Sequence, residues 1–206
     1  MRHKRRGRKL GRNPSHQRAL LRNLASALFL TERDAEDDDN APKTKGRIIT
    51  TLQKAKEVRP LVERCVTIAR SVLPDQEAAA NLAPDAQRHS DEWRSWRKSR
   101  QWQEWSKAMA PVVTARRRAL RLLGNKQAVT ILFSDIAPRF ADRDGGYTRV
   151  LRLPKPRLGD AGTRAILEFV GKNDRVRKKA VRPSFDTDEA SQQEAEVSQS
   201  ESKAEP

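Results

Sequence analysis

The sequence predicts an α+β fold: four or five helices packed on a small three-stranded sheet, with a disordered basic N-terminal arm and an acidic C-terminal tail. Three observations lead there. Apolar residues recur at helical spacing in several stretches, most clearly Val58, Leu61, Val62, Cys65, Ile68, Ala69 and Val72. Three short runs, RIITT (47–51), YTRVLRL (147–153) and TRAILEFV (163–170), have the composition of strands instead. Both ends of the chain carry charge runs too polar to enter a core.

The chain begins MRHKRRGRKLGRNPSHQR, with eight Lys or Arg and no acid in eighteen residues. Unpaired charges of this kind cannot be buried, and Gly7, Gly11 and Pro14 interrupt any helix, so residues 1–14 form an arm lying in solvent or on a polyanion. A helix follows over about 16–30, with Ser15 as N-cap. Leu20, Leu21, Leu24, Ala27 and Leu28 share one face of it, away from Arg18 and Arg22. TERDAEDDDNAPKTK (31–45) has no apolar period and reads as a solvated loop. After the strand at 47–51 comes a long helix carrying the Val58–Val72 stripe, with Thr51 as its N-cap and Pro60 bending it.

Pro74 and Pro111 bound a segment with an Ala-rich part and then DEWRSWRKSRQWQEWSKAM. On one continuous helix Trp93 and Trp96 stand about 60° apart, as do Trp102 and Trp105, and the two pairs face nearly opposite sides. The rings either build a local mini-core or leave one face to stack on a base or a protein, beside Arg94, Arg97, Lys98 and Arg100. Residues 114–123 read as a helix ended by Gly124, and KQAVTILFSDIA as another ended by Pro138. RFADRDGGY makes a turn at Gly145 and Gly146, and PKPRLGDAG joins the last two strands. The organisation expected is one domain over 15–170, surface insertions at about 31–46 and 74–111, and a basic then acidic disordered tail over 171–206.

Composition narrows the function. The formal charge is +16 over 206 residues, with 34% charged and 36% hydrophobic side chains, which points to a polyanionic partner. The charge is uneven: residues 1–30 hold nine bases and no acid, whereas residues 183–206 hold seven acids and one base. No apolar run is long enough to span a membrane, and the N-terminus lacks the apolar core of a signal peptide, so a cytoplasmic protein is expected. His3, His16 and His89 are scattered and Cys65 is alone, so no metal site is expected. Cys65, on the apolar stripe, reads as a buried inert thiol. There is no phosphate-cradling glycine motif, the DAEDDD run lacks the spacing of a calcium loop, and nothing suggests a nucleophile. No catalysis, cofactor or small-molecule substrate is expected.

Three motifs then carry a resemblance. RHKRRGRKLGRNPSHQRALLRNL, RIITTLQKAKEVR and PRFADRDGGYTRVLRL, in that order, resemble the bacterial large-subunit ribosomal protein family numbered seventeen. The likeness covers roughly residues 1–30, 46–73 and 112–170. It implies a structural component of the 50S subunit, located on the ribosome, that binds 23S rRNA and touches neighbouring large-subunit proteins. It also implies a small sheet with helices, no enzyme activity and no homo-oligomer. Arg8, Leu10, Arg12, Ser15, His16, Arg22 and Asn23 fill the first pattern; Arg139, Arg143, Gly145, Gly146, Tyr147, Thr148 and Arg149 fill the last. Charge and resemblance together nominate Arg2, His3, Lys4, Arg5, Arg6, Arg8, Lys9, Arg12, His16, Arg18, Arg22, Arg139, Arg143, Tyr147 and Arg149 as RNA-binding residues. The alternative is a free RNA- or DNA-binding protein such as an RNA chaperone. The acidic loop, the long tryptophan segment and the tail beyond Val170 depart from the family pattern.

Overall fold

The computed structural model describes residues 7–35 and 40–171. The opening six residues of the predicted arm, residues 36–39 of the acidic loop and the predicted tail beyond Gly171 lie outside the described residues. In chain order the elements are α1 (Pro14–Leu30), β1 (Arg47–Thr51), α2 (Leu52–Arg70), α3 (Leu73–Asn81), α4 (Asp91–Arg97), α5 (Arg100–Leu123), α6 (Lys126–Ile131), a π-turn segment (Leu132–Ile136), α7 (Ala137–Arg139), β2 (Thr148–Arg152) and β3 (Arg164–Phe169). With α6 to α7 taken as one helical run, five runs among the described residues have nine residues or more, and α4 is shorter.

The N-cap of α1 is Asn13 rather than Ser15. Its side-chain oxygen accepts the His16 amide at 2.7 Å, and Pro14 fills the first helical position, where no N–H is needed. Asn13-Pro14 thus outcompetes Ser15, which falls inside the first turn. Thr51 does stand at the N-cap of α2, but its side chain makes no capping bond. The Leu52 amide instead donates to the Thr163 carbonyl at 3.0 Å and ties the helix start to the sheet. Pro60 lies inside α2.

The helix predicted over 114–123 is the second half of α5, which starts at Arg100 and passes through Pro111. The proline ring is exposed and displaces no core side chain, so the helix bears the lost N–H and the ring's crowding of the Lys107 carbonyl and continues. Gly124, at φ 72°, ends α5 by returning its N–H to the Leu120 carbonyl at 2.7 Å. Asn125 caps α6. Pro138 does not stop that run at residue 137; it sits within α7 after the π-turn segment, where the Ala137 amide reaches back to the Leu132 carbonyl. This wider turn accompanies burial of Leu132, Phe133, Ile136 and Ala137 together.

The three strands are antiparallel in the order β1-β3-β2, with β3 central. Register places Ile48, Leu167 and Val150 side by side on the inner face, and Ile49, Ile166 and Leu151 side by side on the outer face. The inner face packs on α2. The core gathers Leu28 and Phe29 of α1, Val58, Val62 and Val66 of α2, Val112 and Ala119 of α5, and Leu132, Phe133 and Ile136. Phe29 and Phe140 each meet the Phe169 ring, at centroid distances of 5.6 and 6.1 Å. Among the described residues, this cluster takes none from between Leu73 and Met109. The acidic loop has a closed neck: Thr31 Oγ1 accepts the Gly46 amide at 3.0 Å, and the Gly46 carbonyl accepts the Phe169 amide at 2.9 Å.

Truncating Phe29 to Ala, at a site with no exposure and a ring partner in β3, should cost about 3–5 kcal/mol in urea unfolding. Burial pushes the Cys65 thiol up to about 12, against the weaker opposing pull of Arg64. Cys65 should therefore resist iodoacetamide at neutral pH in the native protein and react once denaturant unfolds it; rapid native labelling would contradict its burial.

Candidate nucleic-acid interface

The described part of the arm, residues 7–13, has no regular secondary structure and is fastened at its C-terminal end. The Arg8 guanidinium lies 3.4 Å from Glu57 of α2, and the Arg8 carbonyl accepts from Gln17 at 2.7 Å. Gly11 has φ 108°, and a Cβ there would stand 2.4 Å from His16 Nδ1. That nitrogen accepts the Arg12 amide at 3.3 Å. His16 therefore seats the chain as it enters α1, while Lys9, Arg12 and Arg18 stay exposed.

A second cationic element adjoins the first. Residues 105–134 contain Lys107, Arg116, Arg117, Arg118, Arg121 and Lys126 and no acid. On α5, Ala115, Ala119 and Leu123 face the core, which leaves Arg116, Arg117, Arg118 and Arg121 exposed. Two bonds hold α1 across the end of α5: Arg22 donates to the Arg121 carbonyl at 2.7 Å, and Ser26 Oγ donates to the Leu123 carbonyl at 2.9 Å. Both satisfy last-turn carbonyls that have no partner within the helix, and the cation also suits the negative end of the helix dipole. The junction forms a hollow of about 420 Å³ lined by Ser15, Arg18, Ala19, Arg22, Asn23, Leu123 and Gly124. Among the described residues, no carboxylate lies within ion-pair distance of Arg12, Arg18, Arg117, Arg118 or Arg121. The arginines of α5 escaped the sequence nomination; the signal available was the thirty-residue window without an acid.

The later motif is built inward. Arg139 reaches Glu32 at 3.3 Å and the Val170 carbonyl at 3.2 Å, and its guanidinium lies 5.5 Å from the Phe140 ring centre. Arg70 donates to the Arg143 carbonyl and to Asp144, which fixes the chain ahead of Gly145 and Gly146; the Asp144 bond raises the Arg70 pKa above its ordinary value. Tyr147 is only 2% exposed and packs on Phe140, so its ring serves the core and offers no face to a nucleic acid. Arg149 and Arg47 grip the two carboxylate oxygens of Glu168 across the outer sheet face. Tyr147 is thus buried, Arg139 and Arg149 are engaged with Glu32 and Glu168, and Arg2, His3, Lys4, Arg5 and Arg6 lie outside the described residues. Among the described residues no group of three or more His, Cys, Asp or Glu could hold a metal ion, and no helix is long and apolar enough to cross a membrane.

The sequence pattern of the family described as "Ribosomal protein L17" matches residues 20–170. The large ribosomal subunit protein bL17 of Rhodopirellula baltica is 62% identical over 188 residues, covering 91% of this chain and 90% of the relative. Its counterpart in Nitratidesulfovibrio vulgaris is 37% identical over 169 residues, covering 82% and 87%, and that of Bifidobacterium longum subsp. infantis is 34% identical over 175 residues, covering 85% and 69%.

Replacing Gly11 by Ala forces a side chain onto a left-handed backbone, at about 1–2 kcal/mol, and into the His16 ring. The Arg12 amide should then lose its protection from hydrogen exchange, with chemical-shift changes confined to residues 8–17. An Arg12 amide that exchanges as before would show that His16 does not seat the arm.

Proposed function

The chain belongs to the ribosomal protein L17 family, and from that premise we propose that it is a structural constituent of the large ribosomal subunit that binds 23S rRNA. One observation carries the rRNA reading: the cationic surface that two acid-free stretches of chain form where the arm enters α1 and α1 crosses the end of α5. Lys and Arg side chains there neutralise phosphates and release condensed counterions, and the arginine forks take two phosphate oxygens at once. Because both helices are fixed by the core, their cations are spaced before RNA arrives, which lowers the ordering cost of binding. Such contacts position RNA without reading its sequence. Arg2, Lys4, Arg5 and Arg6 continue the strip along the chain.

The reading includes a cytoplasmic, ribosome-bound location, neighbouring large-subunit proteins as further partners, no homo-oligomer and no catalysis. The arm 1–14 and the domain 15–170 share the RNA contact, while the acidic residues of 183–206 repel rRNA and take no part in it.

Native sedimentation tests the assignment. The protein should travel with the large subunit and remain there in moderate salt; release into the light fractions under those conditions would favour a free RNA-binding protein such as an RNA chaperone. At the level of residues, changing Arg117, Arg118 and Arg121 together to Gln should leave the thermal midpoint within a few degrees. It should also flatten the log–log salt dependence of rRNA binding by roughly 0.7–0.9 for each phosphate that is no longer neutralised. An unchanged slope would remove α5 from the interface.

A further inference from the structure

The tryptophan segment makes a site that the cationic strip does not use. Sequence spacing puts its two tryptophan pairs on opposite sides of a single helix, but the chain breaks between them. Lys98 caps the end of α4, and Ser99, in an extended conformation at φ −82° and ψ 167°, begins α5. The break brings Trp93, Trp96, Trp102 and Trp105 to one cleft of about 360 Å³, with Arg88 and Arg97 also in its wall. That volume lies in the range of pockets that enclose small ligands, about 300–1,000 Å³.

The cluster is not a sealed mini-core. All four rings are only partly buried, and the main core draws nothing from this part of the chain. Trp96 and Trp105 meet edge to face at 5.7 Å, and the Arg97 guanidinium lies 5.2 Å from the Trp93 ring centre. Of the nearby acids, Asp91 pairs with Arg94 and Glu104 with Arg100, while Asp85 and Glu92 are exposed and make no ion pair with the cleft's arginines. Among the described residues no carboxylate pairs with Arg88 or Arg97. Flat apolar walls beside open guanidinium groups match an unpaired nucleotide, whose base stacks on indole while its phosphate meets the arginines. A proline-rich peptide would suit the walls but give the guanidinium groups no counter-charge.

We propose that this cleft binds an unpaired RNA base, a second RNA contact separate from the phosphate strip; it rests on the RNA-binding reading above. The chain has four tryptophans and all four line the cleft, so the tryptophan emission of the intact protein reports on this site alone.

The experiment titrates the full-length protein with fluorophore-labelled RNA hexamers, oligo(A) and oligo(U), and with an abasic hexamer of equal charge. Anisotropy reads total binding, and tryptophan emission reads the cleft. Base-bearing hexamers should quench emission saturably, at concentrations at least tenfold below any effect of the abasic strand. Trp102→Leu should weaken that binding by about 5- to 150-fold, the affinity equivalent of one base–aromatic stack. Should that variant lose helical signal by circular dichroism, Arg88→Gln with Arg97→Gln leaves the rings in place and should weaken quenching several-fold with an unchanged emission spectrum of the free protein. Binding by anisotropy without quenching, equal quenching by the abasic strand, or quenching by a proline-rich peptide alone would each overturn the proposal. Sedimentation with the large subunit is read separately, so an empty cleft leaves the ribosomal assignment standing.

Discussion

A chain with a formal charge of +16 must fold without letting its cations repel one another across the body, and the placement of a few glutamates meets that constraint. Glu168 sits nearly buried in the central strand with an arginine on each side. Glu63 of α2 accepts from Arg59 and from the Thr148 hydroxyl of β2. Glu57 takes Arg8, and Glu32 takes Arg139. Each of these carboxylates joins segments far apart in the chain or fixes a strand to a helix. Half-buried pairs of this kind contribute little net energy and chiefly specify which neighbours fit. Their second effect is on the surface. With these acids drawn to the seams of the fold, Arg12, Arg18, Arg117, Arg118 and Arg121 keep no carboxylate partner among the described residues where α1 crosses the end of α5, and the proposed rRNA contact uses that unneutralised charge.

The π-turn segment and the Gly124 cap act together in this arrangement. Gly124 stops α5 sharply and Asn125 restarts the chain as α6. The wider turn at Leu132–Ile136 then accompanies burial of its large side chains in the core beside α2. Arg116 covers the outside of this layer, its guanidinium 5.2 Å from the Phe133 ring centre, so one arginine of the run serves packing while its neighbours face solvent.

Much of the architecture was legible in the residues. The stripe from Val58 to Val72 follows from helical period, and the strands at 47–51, 147–153 and 163–170 from their strand-like composition. What period could not show was continuity. Pro111 looks like a boundary, yet on the exposed side of α5, whose other face is held in the core, the helix bears the lost hydrogen bond and the ring's crowding of the preceding turn and runs on. Lys98 and Ser99 look like ordinary helix residues, yet the chain breaks there, and a wheel drawn through the break sends the tryptophans the wrong way. The proposed interface was partly legible: charge nominated the arm and α1, whereas the α5 arginines were signalled only by an acid-free window. Resemblance transferred Tyr147 and Arg139 as residue types without their surroundings: in the fold Tyr147 is buried in the core, and Arg139, though exposed, is engaged with Glu32 and the Val170 carbonyl.

The neck of the acidic loop has a different significance. Thr31 and Gly46 are joined to each other and to the end of β3, so the last turn of α1 and the first residue of β1 are held in register whatever chain lies between them. The entropy of closing a longer loop grows only logarithmically with its length. The protein therefore has a port at which new sequence can be spliced without retuning the core: a place for lineages to lengthen the chain, and for an engineer to install an affinity tag or a fluorophore on the assembled particle.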